Sequence, residues 1–139
     1  MPTGSCFCGE VNYEFSKGPM QKVICHCLSC RKITGSTYTT NFAFPEEKFS
    51  LLSGSLRECT RRHECGMDIT VFFCGNCGST IYKKATEQTF YGLIILLAGT
   101  VDEGEGVEQA APEREFWVKH RAKWVQPVVG ALQDQEFPR

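Results

Sequence analysis

Residues 11–15, "VNYEF", alternate apolar and polar side chains as a half-buried β-strand does, and "KGP" at positions 17–19 ends the run. Residues 36–45, "STYTTNFAFP", are rich in β-branched and aromatic side chains, alternate at Phe42 and Phe44 and close on a proline, which predicts a second strand. "EEKFSLLSGS" predicts a short strand that enters a turn at 53–55, and "DITVFFC" (68–74) a strand that runs straight into a cysteine pair. "TFYGLIILLAGTVD" holds a long, nearly continuous apolar strand, predicted to be buried on both faces, and "REFWVK" (114–119) is a further strand. Helical period is confined to a turn or two after Cys27, through Arg31 and Ile33, and residues 57–68, "RECTRRHECGMD", read as an irregular loop. Many short strands joined by Gly-rich turns predict a mainly β fold of short antiparallel strands with little helix.

At 139 residues the chain is long enough for one domain with a core, and no repeat, low-complexity tract or linker divides positions 1–139. A net charge of −1 gives no electrostatic reason to bind nucleic acid or an anionic membrane. The longest apolar run, "LIILLA", is too short to span a bilayer, and "MPTGSCFCGE" lacks the basic and apolar regions of a signal peptide. These readings place the protein in the cytoplasm.

Composition changes the picture at the cysteines. There are nine, an odd number, and without a secretion signal they read as metal ligands rather than disulfides. Seven are clustered: Cys6 and Cys8; Cys25, Cys27 and Cys30; Cys74 and Cys77. "CGNCGS" is a zinc-knuckle pattern, in which Gly75 and Gly78 relax the backbone where it bends around both sulfurs. "SCFCG" cannot serve from a regular strand, because alternate residues lie one full pleat apart; it needs a bend, which Gly9 permits. The two pairs together give a four-thiolate site, closed to substrate, whose binding free energy becomes folding free energy.

Cys25, Cys27 and Cys30 in "ICHCLSCRK" then form a second site with three thiolates and one vacant position, which is the pattern of catalytic rather than structural zinc. Zn²⁺ with three thiolates carries a formal charge of −1, so it is a weak Lewis acid, but its open position accepts a soft ligand such as a substrate thiolate. Cys59, Cys65 or His26 remain alternatives as a fourth, closing ligand. His26 is badly placed for that, since both its neighbours are ligands.

"GSCFCGEVNYEF", "CHCLSCRKITGS", "FFCGNCGS", "AGTVDE" and "REFWVKHRAKW" together resemble the glutathione-dependent formaldehyde-activating enzyme family, which also includes centromere protein V. The resemblance runs from Gly4 to about Trp124. It implies a single mainly β zinc domain of the β-tent type, with two Zn²⁺ per chain: a structural ion on Cys6, Cys8, Cys74 and Cys77 and a catalytic ion on Cys25, Cys27 and Cys30. It also implies a zinc-dependent carbon–sulfur lyase that joins formaldehyde to glutathione, or acts on a related thiol adduct. The same metal could serve a lyase, hydrolase or isomerase on another small molecule, and a two-zinc interaction domain without catalysis is the alternative of another class.

A bound thiol of this kind needs cationic partners for its carboxylates, for which Arg31, Lys32, Arg61 and Arg62 are candidates against the reading of solvated surface charge. Proton transfer requires a titratable group, for which His26, His63 and Glu64 are candidates. Asp102 reads as a turn stabiliser and Trp117 and Trp124 as core or edge packing.

Overall fold

The protein is described by a computed structural model over residues 1–109 and 111–138. Among the described residues, eleven strands form two open sheets. The smaller is antiparallel, with order β1–β2–β5: β1 is Thr3–Ser5, β2 Asn12–Phe15 and β5 Phe49–Ser53. The larger has eight strands: β3 (Gln21–Cys25), β4 (Thr39–Pro45), β6 (Leu56–Arg62), β7 (Asp68–Cys74), β8 (Thr80–Ala85), β9 (Leu93–Leu97), β10 (Arg114–Phe116) and β11 (Leu132–Gln133). Their order is β11–β10–β3–β4–β9–β8–β7–β6. The expectation of a mainly β domain with little helix holds: the one α-helix, α1, is Leu28–Thr34, and four short 3₁₀ turns complete the regular structure among the described residues. None of the helices is long and apolar enough to cross a membrane.

The large sheet separates two apolar clusters. On one face Val11, Tyr13, Phe15, Phe42, Phe44, Ile81, Ile94 and Leu96 pack under the small sheet, with Cys6 and Cys74 at their margin. On the other, Val23, Met67, Ile69, Phe90, Phe116 and Trp117 surround Cys25, Cys27 and Cys30. The period of two along each strand assigns its residues to these clusters. Thus Phe42 and Phe44 face the first and Val23 and Cys25 the second. One glycine is sterically required between the sheets: a Cβ on Gly4 would stand 2.1 Å from the Tyr13 hydroxyl oxygen and 2.6 Å from the backbone oxygen of Thr100.

Several sequence expectations need correction. The long apolar strand shrinks to Leu93–Leu97, flanked by 3₁₀ turns at Gln88–Phe90 and Ala98–Thr100, and it alternates between half-buried and buried residues rather than being buried throughout. Pairing on both edges with β4 and β8 made its composition read as doubly covered. The strand expected at 114–119 stops at Phe116, because Trp117 takes a left-handed conformation (φ 58°) and a 3₁₀ turn follows. Of the segment read as an irregular loop, residues 63–67 form the turn between β6 and β7, while 57–62 lie in the edge strand β6, which pairs antiparallel with β7 along its length. Its exposed, charged side chains hid it, as charge on an edge strand commonly does. Not every pairing is antiparallel: β10 runs parallel to both β3 and β11. Trp124 is exposed rather than packed.

Candidate metal centre and active site

The first cysteine group forms where two chain reversals meet. β1 ends at Ser5, and the chain turns through Cys6–Gly9, with Gly9 at φ 82° and its N–H donating to the Cys6 carbonyl. β7 ends at Cys74, and a second turn brings Cys77 back, with Gly78 at φ 81°. Gly75, by contrast, does not adopt a positive φ. Backbone amides converge on the sulfurs: Val11 N–H donates to Cys6 Sγ at 3.3 Å, and the N–H groups of Asn76 and Cys77 donate to Cys74 Sγ at 3.3 and 3.4 Å. Against the upward push of burial, the Val11 amide helps hold the Cys6 thiol below its ordinary value. The four Sγ atoms lie within 4.8 Å of one another, with Cys6–Cys8 at 3.5 Å and Cys8–Cys74 at 3.8 Å. Sulfurs about 2.3 Å from a tetrahedral ion are spaced by about 3.8 Å, so this group fits zinc in number, chemistry and size.

The second group follows from the end of β3. Cys25 closes the strand, Cys27 is the N-cap of α1 and Cys30 lies in its first turn; the Cys27 sulfur accepts from Cys30 N–H at 3.3 Å. The bend between strand and helix brings Cys25 and Cys27 to one point, which a continuous pleat would not do. All three are buried, with Sγ atoms within 4.8 Å of one another, and no fourth His, Cys, Asp or Glu among the described residues joins them at that spacing. Hydrogen bonds from Cys25 and Cys27 hold the Cys30 thiol well below its ordinary value despite its burial, with help from the charge of Lys83. Three soft thiolates with one side uncovered suit a divalent ion that keeps an exchangeable position.

His26 points away from this group. Its Nε2 lies 2.7 Å from Glu115 Oε1, and its ring meets the edge of Tyr38. Glu115 also receives hydrogen bonds from Val128 N–H and Gln133 Nε2, each at 2.8 Å, and pairs with Arg121 at 3.1 Å. Cys59 and Cys65 are exposed and belong to neither cysteine group.

Beside the trio is a cavity of ≈ 40 Å³, walled largely by apolar side chains such as Met67, Phe90, Phe116 and Phe137. That is room for about three waters, or for a one-carbon carbonyl compound. Besides the cysteines, four polar side chains line it: Gln21, His63, Asn41 and Lys83. His63 Nδ1 accepts from Cys65 N–H at 3.0 Å, so in the neutral ring the hydrogen is on Nε2, which is buried without a partner. Burial lowers the pKa of this imidazole, keeping it neutral. Asn41 donates from Nδ2 to Thr39 Oγ1, while its Oδ1 is also buried and unpartnered. Lys83, 4% exposed, donates from Nζ to Cys30 Sγ at 3.4 Å.

Outside the cavity, and sharing His63 and Ile69 with it, runs a surface groove of ≈ 590 Å³ between α1 and the β6–β7 hairpin. Val71 and Phe73 help form its floor, and Lys32, Arg61 and Arg62 its cationic border. Arg31 is not part of it. Glu64 lies at the groove, where it pairs with His120 at 3.0 Å. Thus the structure gathers His63, Glu64, Lys32, Arg61 and Arg62 at one locus and leaves out His26 and Arg31.

Lys83, Asn41 and Glu115 escaped the sequence reading. Lys83 was hidden by a β-bulge: the register between β7 and β8 shifts at Phe72/Phe73, so Ile81 and Tyr82 both pack toward the first cluster and Lys83 turns to the second. Simple alternation from Ile81 would have sent it the other way. The one available signal was "YKKA", a lysine pair within an otherwise apolar strand.

No curated protein matches the chain. A crystal structure of a Rhodobacter sphaeroides protein superposes with a TM-score of 0.56 at 16% identity, covering 76% of this chain and 92% of that one, and so shares its fold. The family profile described as glutathione-dependent formaldehyde-activating enzyme matches residues 1–120, which include all seven clustered cysteines. By that match the chain belongs to the glutathione-dependent formaldehyde-activating enzyme family.

Proposed function

We propose that the protein is a zinc-dependent carbon–sulfur lyase that joins the thiol of glutathione, or of a closely related thiol, to a small aldehyde and cleaves the adduct in reverse. The observation that carries this reading is the buried trio Cys25, Cys27 and Cys30, joined by no fourth ligand among the described residues and opening on a cavity sized for a one-carbon carbonyl. Zinc held there supplies a soft acceptor for the substrate sulfur and a weak Lewis acid. In this reading Cys6, Cys8, Cys74 and Cys77 hold a second, purely structural zinc.

The chain's own residues supply binding and orientation. Lys32, Arg61 and Arg62 receive the carboxylates of the thiol in the groove. The apolar walls exclude water from the aldehyde, which would otherwise hydrate. As the carbon–sulfur bond forms, the carbonyl π pair moves to oxygen. His63 donates its Nε2–H to that oxygen, and the thiol proton finally leaves with the hydroxymethyl product, so atoms and charge balance. The tautomer set by Cys65 N–H suits His63 to donating rather than to accepting a proton. Glu64, at the groove, is then the carboxylate available to take the thiol proton.

The test is S-hydroxymethylglutathione formation from formaldehyde and glutathione, followed by NMR. The expected result is a rate above the uncatalysed background that vanishes on chelation and returns with zinc. Full activity in metal-free protein would defeat the proposal.

A further inference from the structure

Lys83 is the buried charge that the proposed function leaves unused. It comes from β8, turned inward by the bulge at Ile81, and it is 4% exposed. No carboxylate among the described residues pairs with it; its hydrogen-bond partner is Cys30 Sγ at 3.4 Å. An ammonium held in apolar surroundings is very unfavourable without a counter-charge, and the cysteine trio is the counter-charge within reach.

The charges can be counted. A divalent ion with three thiolates has a formal charge of −1, and Lys83 brings the unit to zero. A neutral fourth ligand leaves it there, whereas an anionic one takes it to −1. With an apolar residue at position 83 the same two states would carry −1 and −2. In a cavity walled by Met67, Phe90, Phe116 and Phe137, the second negative charge is the expensive one. A lysine here therefore changes little for a neutral ligand and much for an anion.

We infer that Lys83 is a positioning residue that selects the charge of the fourth ligand, making the open position of the Cys25–Cys27–Cys30 site receptive to a thiolate. It acts through the thiolates, not by touching the substrate carbon. The inference rests on the reading of the trio as a metal site with an open position, and it adds how that position tells an anion from a neutral donor.

The test uses the full chain loaded with Co²⁺ in place of zinc, with mercaptoethanol as the thiolate probe and imidazole as the neutral one, each titrated by visible absorption. Wild type should gain a sulfur-to-cobalt charge-transfer band with mercaptoethanol. In Lys83→Met, a change of similar volume, mercaptoethanol should bind on the order of a hundredfold more weakly, while imidazole affinity stays within about threefold. Failure of wild type to take up the thiolate would overturn the open-position reading and this inference together. Uptake by wild type and Lys83→Met with equal affinity would overturn the inference alone. So would equal weakening for both probes, which would assign Lys83 to cavity shape. Should Lys83→Met fail to hold cobalt at the trio, Lys83→Arg decides. Cobalt and thiolate binding retained with the charge supports the inference, and their loss overturns it.

Discussion

His26 Nε2 and Glu115 Oε1 are 2.7 Å apart, and solvent reaches neither side chain. The histidine between Cys25 and Cys27 is thus tethered to β10, and its backbone N–H donates to the Phe116 carbonyl at 3.0 Å. The tether fixes the peptide that presents Cys25 and Cys27 to the same point. Burial pushes the Glu115 carboxyl up, but Gln133, His26, the Val128 amide and Arg121 outweigh it and hold it at about 2. Because the folded value is depressed, this stabilisation is present above the ordinary carboxylate range and is lost as pH falls through about 2. Glu115→Ala is expected to destabilise the fold by about 3 kcal/mol at neutral pH. In urea unfolding across a pH series, its deficit against wild type should be widest above about pH 4.5 and shrink toward pH 2.

Removing one thiolate from each cysteine group should give opposite outcomes. Cys27→Ala is expected to lose one of two zinc ions per chain and retain its near-UV circular dichroism. Cys74→Ser opens the link between residues 6 and 77 and should lower the unfolding free energy by several kcal/mol. Metal analysis beside thermal unfolding checks both, and unfolding of Cys27→Ala would show that both groups are structural.

His63→Ala is expected to lower kcat about a hundredfold, as loss of one aimed donor does, with His63→Gln recovering part of the loss. The imidazole is kept neutral by burial. Accordingly, any step its titration leaves in the kcat profile should fall below the ordinary histidine value near pH 6.5. A wild-type step at or above that value that disappears in His63→Gln would contradict this.

Arg61 borders the groove and Arg31 does not. Arg61→Ala should therefore raise KM for glutathione about tenfold with kcat nearly unchanged, while Arg31→Ala leaves both within about twofold. Steady-state kinetics at fixed aldehyde concentration separates the two variants. Equal effects would assign the carboxylate contacts elsewhere.

Both cysteine groups were legible in the sequence because ligand spacing is local. Two residues between Cys74 and Cys77, or between Cys27 and Cys30, specify a turn that any fold must accommodate. The strand at 68–74 was equally clear: it runs straight into the cysteine pair as expected, and it pairs with β6 and β8. What could not be read is set by partners distant in the chain. The side toward which Lys83 points depends on a bulge against β7, and the isolation of His26 depends on a glutamate 89 positions away. The edge strand β6 was missed for a different reason. With neither face well covered, it carries no apolar alternation to betray it.

The parallel pairing of β10 on β3 has a consequence for the nascent polypeptide. The segment carrying Cys25, Cys27 and Cys30 leaves the ribosome early, yet Lys83 and Glu115 are translated far later. Three reactive thiols must therefore wait, without their charge partner or their clamp, until most of the chain has emerged. The order of synthesis and the order of assembly are out of step, and that interval is when oxidation or capture of a wrong cation most threatens the protein.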